Sequence, residues 1–91
     1  MKWVEVIKLR SAGMGSGLRE ELLLPARKAG QSGLVEMKAC RHAALDTDWS
    51  VHLYWESEGA EQNGSALGIR LARALKEHGL VDHSVWIEEG E

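Results

Sequence analysis

Leu34-Val35-Glu36-Met37-Lys38-Ala39-Cys40-Arg41-His42 and Trp49-Ser50-Val51-His52-Leu53-Tyr54-Trp55-Glu56 are two runs rich in strand-forming residues. The small and polar segment Ala43-Ala44-Leu45-Asp46-Thr47-Asp48 separates them. This pattern predicts a β-hairpin. Successive side chains of a strand point to opposite faces. One parity therefore collects Val35, Met37 and Ala39 with Val51, Leu53 and Trp55. The other collects Glu36, Lys38, Cys40 and His42 with Ser50, His52, Tyr54 and Glu56. An apolar sheet face of this size must be covered, and the flanking sequence supplies two helices to do it.

Upstream of the hairpin, residues 3–10 are rich in Trp, Val, Ile and Leu and stop at a glycine-rich run with Gly13, Gly15 and Gly17. This reads as a strand followed by a loop. From Leu18 the spacing becomes helical: Leu18, Leu22, Ala26 and Ala29 share a stripe, with Arg19, Glu20, Arg27 and Lys28 elsewhere. Pro25 lacks a backbone donor, which predicts a kink or an early stop. Gly30 and Gly33 bracket the exit. Downstream of the hairpin, Leu67, Leu71, Ala74, Leu75 and His78 form the stripe of a second helix, with Gly79 as its stop. A last strand is expected over 83–88, with Val85 and Ile87. The order is β-α-β-β-α-β, an α+β, ferredoxin-like arrangement with an antiparallel sheet. The 91 residues suffice for one core, so residues 1–91 are expected to form a single domain.

Composition narrows the function classes. With 44% hydrophobic and 27% charged residues the chain is of ordinary globular type. A formal net charge of −3 gives no long-range attraction to nucleic-acid phosphates or to anionic lipid. Glu5 and Lys8 interrupt the first apolar run too early for a signal-peptide core or a membrane span. Cys40 is the only cysteine, which excludes an intramolecular disulfide and a cysteine-based zinc cage and fits a reducing cytoplasm.

Several residue sets carry possible chemistry. Gly13, Gly15 and Gly17 lie where backbone amides could cradle phosphate, but their spacing is not that of a dinucleotide fingerprint and a connecting loop is the expectation. Cys40, His42 and His52 share the polar hairpin face. A register placing Cys40 opposite His52 would make them neighbours, yet no paired-ligand motif accompanies them and no metal is expected. Glu36, His52 and Tyr54 lie on that same face, where a histidine near a carboxylate can do acid-base work; a polar surface or a dimer contact is the simpler expectation. His78 is placed as the last helical residue, interacting with the helix C-terminus. His83 has no partner in the pattern. The element order is also that of RNA-recognition domains, but their basic and aromatic strand motif is missing.

Glu21-Leu22-Leu23-Leu24-Pro25-Ala26-Arg27, the bend at Gly33 and Tyr54-Trp55-Glu56-Ser57-Glu58 together resemble the antibiotic-biosynthesis monooxygenase-like family. The resemblance implies a dimeric α+β barrel, in which two β-α-β-β-α-β chains pack sheet against sheet. It also implies a pocket for a small planar aromatic compound between sheet and helices, with cofactor-independent oxygenation as the expected activity. Trp55 matches a pocket tryptophan of the quinone-forming members, and Val51, Met37 and Leu71 are the expected companions lining that pocket. The polar face carrying Glu36, His52 and Tyr54 would lie at or near the barrel interface. Two positions depart from the pattern: those members carry an asparagine where Val51 stands and a tyrosine where Glu61 stands. Haem-degrading relatives use a histidine on the second helix with a tryptophan nearby; His78 lacks such a tryptophan, so haem is not carried over. The alternative is a non-catalytic small-molecule binder or assembly protein of the same fold.

Overall fold

The structure is a computed structural model and describes residues 1–11 and 24–89. Its elements are β1 (Lys2–Ser11), α1 (Leu24–Ala29), β2 (Leu34–Arg41), β3 (Asp48–Glu56), α2 (Ala66–Leu75) and β4 (Gly79–Ile87). The strands form one sheet in the order β2-β3-β1-β4, and every neighbouring pair is antiparallel. This is the ferredoxin-like arrangement expected from the element order. Gly13, Gly15, Gly17, Leu18 and Leu22 lie outside the described residues.

Alternation in β1 sets the core. Trp3, Glu5, Ile7, Leu9 and Ser11 are buried, and the residues between them face the other side. Val51, Leu53 and Trp55 from β3 and Met37 from β2 extend the buried face, which α2 covers with Leu67, Leu71, Ala72 and Leu75. Ala26 of α1 packs against the same cluster. The helix stripe arises because positions three and four apart fall on one side of an α-helix. Ser65 starts α2: it has an extended backbone, and its hydroxyl accepts the Gly68 N–H at 2.9 Å.

The structure departs from several of these expectations. Val35 is 66% exposed rather than on the apolar face, because a bulge between Leu34 and Glu36 leaves it unpaired. Leu34 takes the position opposite Trp55 instead and packs on the core. Ala39, near the far end of edge strand β2, is exposed. The hairpin register pairs Lys38 with His52 and Cys40 with Ser50, two residues away from the Cys40–His52 alignment. His78 lies in the turn after α2, which ends at Leu75, and Gly79 opens β4. Gly79 is required there by close approach, since a side chain would run into the backbone of Arg10 and Ser11.

The second face of the sheet has no helix over it among the described residues. Across its middle, Tyr54, Val4 and Trp86 stand side by side on β3, β1 and β4. Tyr54 is 36% and Trp86 60% exposed, a large apolar area for an open sheet face.

Candidate functional site

The buried row of β1 contains one carboxylate. Glu5 is 0% exposed, flanked across the sheet by Leu53 and Val85. Alternation alone puts it there, and an isolated charge in that position would be prohibitively costly. The cost is offset by four polar partners. Oε1 accepts the indole N–H of Trp55 at 2.8 Å and the hydroxyl of Ser65 in a short hydrogen bond. Oε2 accepts the Ser65 backbone N–H at 3.0 Å and lies 2.7 Å from Nε2 of His83. A carboxylate offers about four acceptor directions, so the set is complete. The carboxylate also stands at the N-terminus of α2, where the helix dipole favours negative charge.

Two glycines admit this arrangement. Gly68 is in the first turn of α2, and a Cβ there would overlap the Glu5 carboxylate. Gly64 has φ +100°, a conformation L side chains rarely adopt, and a Cβ there would collide with the His83 ring. Close approach of the helix to the charge thus depends on missing side chains.

Trp55 stacks on Trp3, its direct cross-strand partner, with ring centroids 5.4 Å apart and planes 16° apart. The Trp3 indole N–H donates to Ser57 Oγ at 2.9 Å. Both indole N–H groups are therefore engaged, and Trp55 has ring surface rather than a donor to offer a ligand.

The expected pocket residues Trp55, Val51, Met37 and Leu71 all belong to the buried cluster, at 2–6% exposure. The structure brings them together as packed core, and only Trp55 among them has a polar partner. Glu36, His52 and Tyr54 share the open face. Glu36 is bound to Lys38 at 3.3 Å rather than to His52, and Lys38 lies 5.6 Å from the Tyr54 ring centroid. Ser50 Oγ is 3.0 Å from His52 Nε2, and the His52 ring stacks near Tyr54. His42 Nδ1 accepts the backbone N–H groups of Ala44 and Leu45, a turn-stabilising role. Among the described residues, no three His, Cys, Asp or Glu side chains converge as metal ligands would.

Burial holds the His52 pKa below the usual histidine value, with repulsion from Lys38 and then Lys8 adding to it. The unfolded chain therefore takes up a proton before the folded one does. This contribution to stability is full above about pH 6.5 and declines as the pH falls below it. His52→Asn is expected to shrink the loss of thermal stability between neutral and mildly acidic pH, read from paired melting curves.

Sequence reasoning missed the pairing of Glu5 with His83, which are 78 positions apart. The available signal was parity. Glu5 alternates with Trp3, Ile7 and Leu9, and His83 alternates with Val81 and Val85, so both point to the helix-covered face.

No family profile matches this sequence, and no curated protein matches it either. Solved structures do match. Two structures of SnoaB, a cofactor-independent oxygenase from Streptomyces nogalater, one an asparagine-to-alanine variant, align with TM-scores of 0.71 and 0.70. Each alignment covers 99% of this chain and 95% of that chain at 16% identity. At this identity the likeness is one of fold, a small α+β architecture with a four-stranded antiparallel sheet. No helix among the described residues is long and apolar enough to cross a membrane.

Proposed function

We propose that this chain is half of a homodimeric α+β barrel that acts as a cofactor-independent monooxygenase on a small hydroxylated aromatic compound. The observation that carries this reading is the match to an oxygenase fold over nearly the whole chain, combined with a tryptophan held rigidly on the helix-covered face. The substrate ring lies against Trp55, with Val51, Met37 and Leu71 as apolar walls, and enters by displacing their present packing. Met37 is suited to such repacking because its side chain is unbranched and adaptable.

In this reaction the substrate is its own reductant. A dihydroxyarene gives up two hydrogens and gains one oxygen atom from O2, forming a hydroxyquinone, and the second oxygen atom leaves with those hydrogens as water. The protein contributes by excluding bulk water and fixing the ring. The open sheet face meets a second copy, placing Glu36, His52 and Tyr54 in or near the interface. A reducing, cytoplasmic setting suits the exposed thiol of Cys40.

A second reading, a non-catalytic small-molecule binder, is favoured by Val51, an apolar residue only 2% exposed. Oxygen-electrode measurements with a panel of hydroquinones separate the two. The oxygenase reading expects uptake above the uncatalysed rate with quinone absorbance appearing in step. Trp55→Phe, which keeps an aromatic ring but loses the indole and its bond to Glu5, is expected to lower the rate roughly tenfold, about 1.4 kcal/mol. Background uptake with every hydroquinone, accompanied by saturable binding, would leave the binder.

A further inference from the structure

Within the pocket reading above, we propose that His83 is the acid-base residue of this site and takes a proton from the hydroxyl of an aromatic ligand, with Glu5 as its positioning residue.

Three of the four Glu5 contacts are unambiguous donors: the Trp55 indole N–H, the Ser65 backbone N–H and the Ser65 hydroxyl. They hold a carboxylate in one place inside a buried layer. The fourth contact is His83 Nε2 at 2.7 Å. A carboxylate already taking three donors is completed by a fourth, so Nε2 carries the hydrogen. The lone pair then resides on Nδ1. Among the described residues Nδ1 has no hydrogen-bond partner. The imidazole is also the member of the cluster that reaches the surface: its side chain is 17% exposed, whereas Glu5 is fully covered and Trp55 and Ser65 are nearly so. The missing side chain at Gly64 leaves the ring its space.

This geometry suits proton acceptance. The ligand O–H bond breaks with its electron pair staying on oxygen, and a new N–H bond forms at Nδ1. The imidazolium so created is balanced by Glu5, which orients the ring before and stabilises its charge after the transfer. The groups shown facing the ring are the Glu5 carboxylate and the cross-strand partner Ile7 from β1 and Gly64 from the segment before α2; Asp82 and Ser84, its neighbours on β4, have the opposite parity. The product is an aryloxide, the electron-rich form that the proposed oxygenation consumes. A purely structural stitch between sheet and helix would share the contacts but would not ionise a ligand.

The test is an absorbance titration of β-naphthol into the full-length protein at neutral pH, well below the pH at which free β-naphthol ionises. The wild type is expected to generate the naphtholate band on binding. His83→Gln, at a partly exposed position, is expected to bind β-naphthol yet lower the naphtholate fraction by about tenfold, one pKa unit. Glu5→Gln is expected to lower it as well with its near-ultraviolet circular dichroism retained; if that variant does not fold, His83→Gln decides alone. An undiminished band in His83→Gln would overturn the proposal, as would a wild type that binds β-naphthol only in its neutral form or not at all. A normal, His83-dependent band with hydroquinone-driven oxygen uptake at background would sustain the role of His83 and remove the oxygenase reading instead.

Discussion

Glu5→Ala is expected to destabilise the fold by about 3–5 kcal/mol, because each buried donor left without its acceptor costs about 1–3 kcal/mol. The substitution leaves the Trp55 indole N–H, both Ser65 donors and His83 without their acceptor in a layer largely closed to solvent. It also opens a void under the first turn of α2, whose cap residue is one of the orphaned groups. Urea unfolding followed by tryptophan fluorescence measures the loss, and Trp55 should report it directly. Glu5→Gln should cost less, because it keeps one acceptor oxygen while turning an amide toward a donor. Gly68→Ala acts from the opposite side by forcing a methyl group into the carboxylate, with an expected cost of about 1–3 kcal/mol from overpacking. A Glu5→Ala cost below about 1 kcal/mol would mean that water replaces the carboxylate, and the network would then not be what seats the helix.

Val4→Glu is expected to weaken self-association at least about 100-fold, equivalent to ~2.7 kcal/mol. Val4 is the floor between Tyr54 and Trp86, with those residues as its register partners on either side. Adjacent strands are about 4.8 Å apart, so the two aromatic rings rise from the sheet roughly 9.6 Å apart at their bases. Between them lies a cleft of about 380 Å3, bordered also by Val35 and Glu36. In the proposed dimer two copies meet through this face, and apolar atoms of the partner fill the cleft. A carboxylate on its floor would be buried without a counter-charge. Sedimentation equilibrium across a dilution series reads the shift. The folded monomer should survive, because Val4 belongs to the open face rather than to the helix-covered core.

Hydrophobic alternation made most of the fold legible. The parity of 49–56 placed Val51, Leu53 and Trp55 in the core, and the three-to-four spacing of Leu67, Leu71 and Leu75 placed α2 over them. Val35 broke the rule because a bulge adds a residue without changing composition, and nothing local announces it. α2 ends at Leu75, before the stop that Gly79 signals; Gly79 is selected by contact with β1. Glu36 and His52 share a face that is visible within one hairpin. The stronger carboxylate–imidazole pair joins the first strand to the last, and that adjacency is a property of sheet order, absent from any local window.

Native mass spectrometry of freshly purified protein bears most directly on the central claim, that this chain is half of a barrel with a pocket for a small aromatic compound. The expected spectrum is a dimer at twice the 10.1 kDa chain mass, with Val4→Glu shifted to monomer and a discrete small-molecule adduct or a hydroquinone-dependent mass shift on the wild type. A wild-type spectrum containing only bare monomer at micromolar concentration would contradict the claim and leave the Tyr54–Val4–Trp86 face to a different partner.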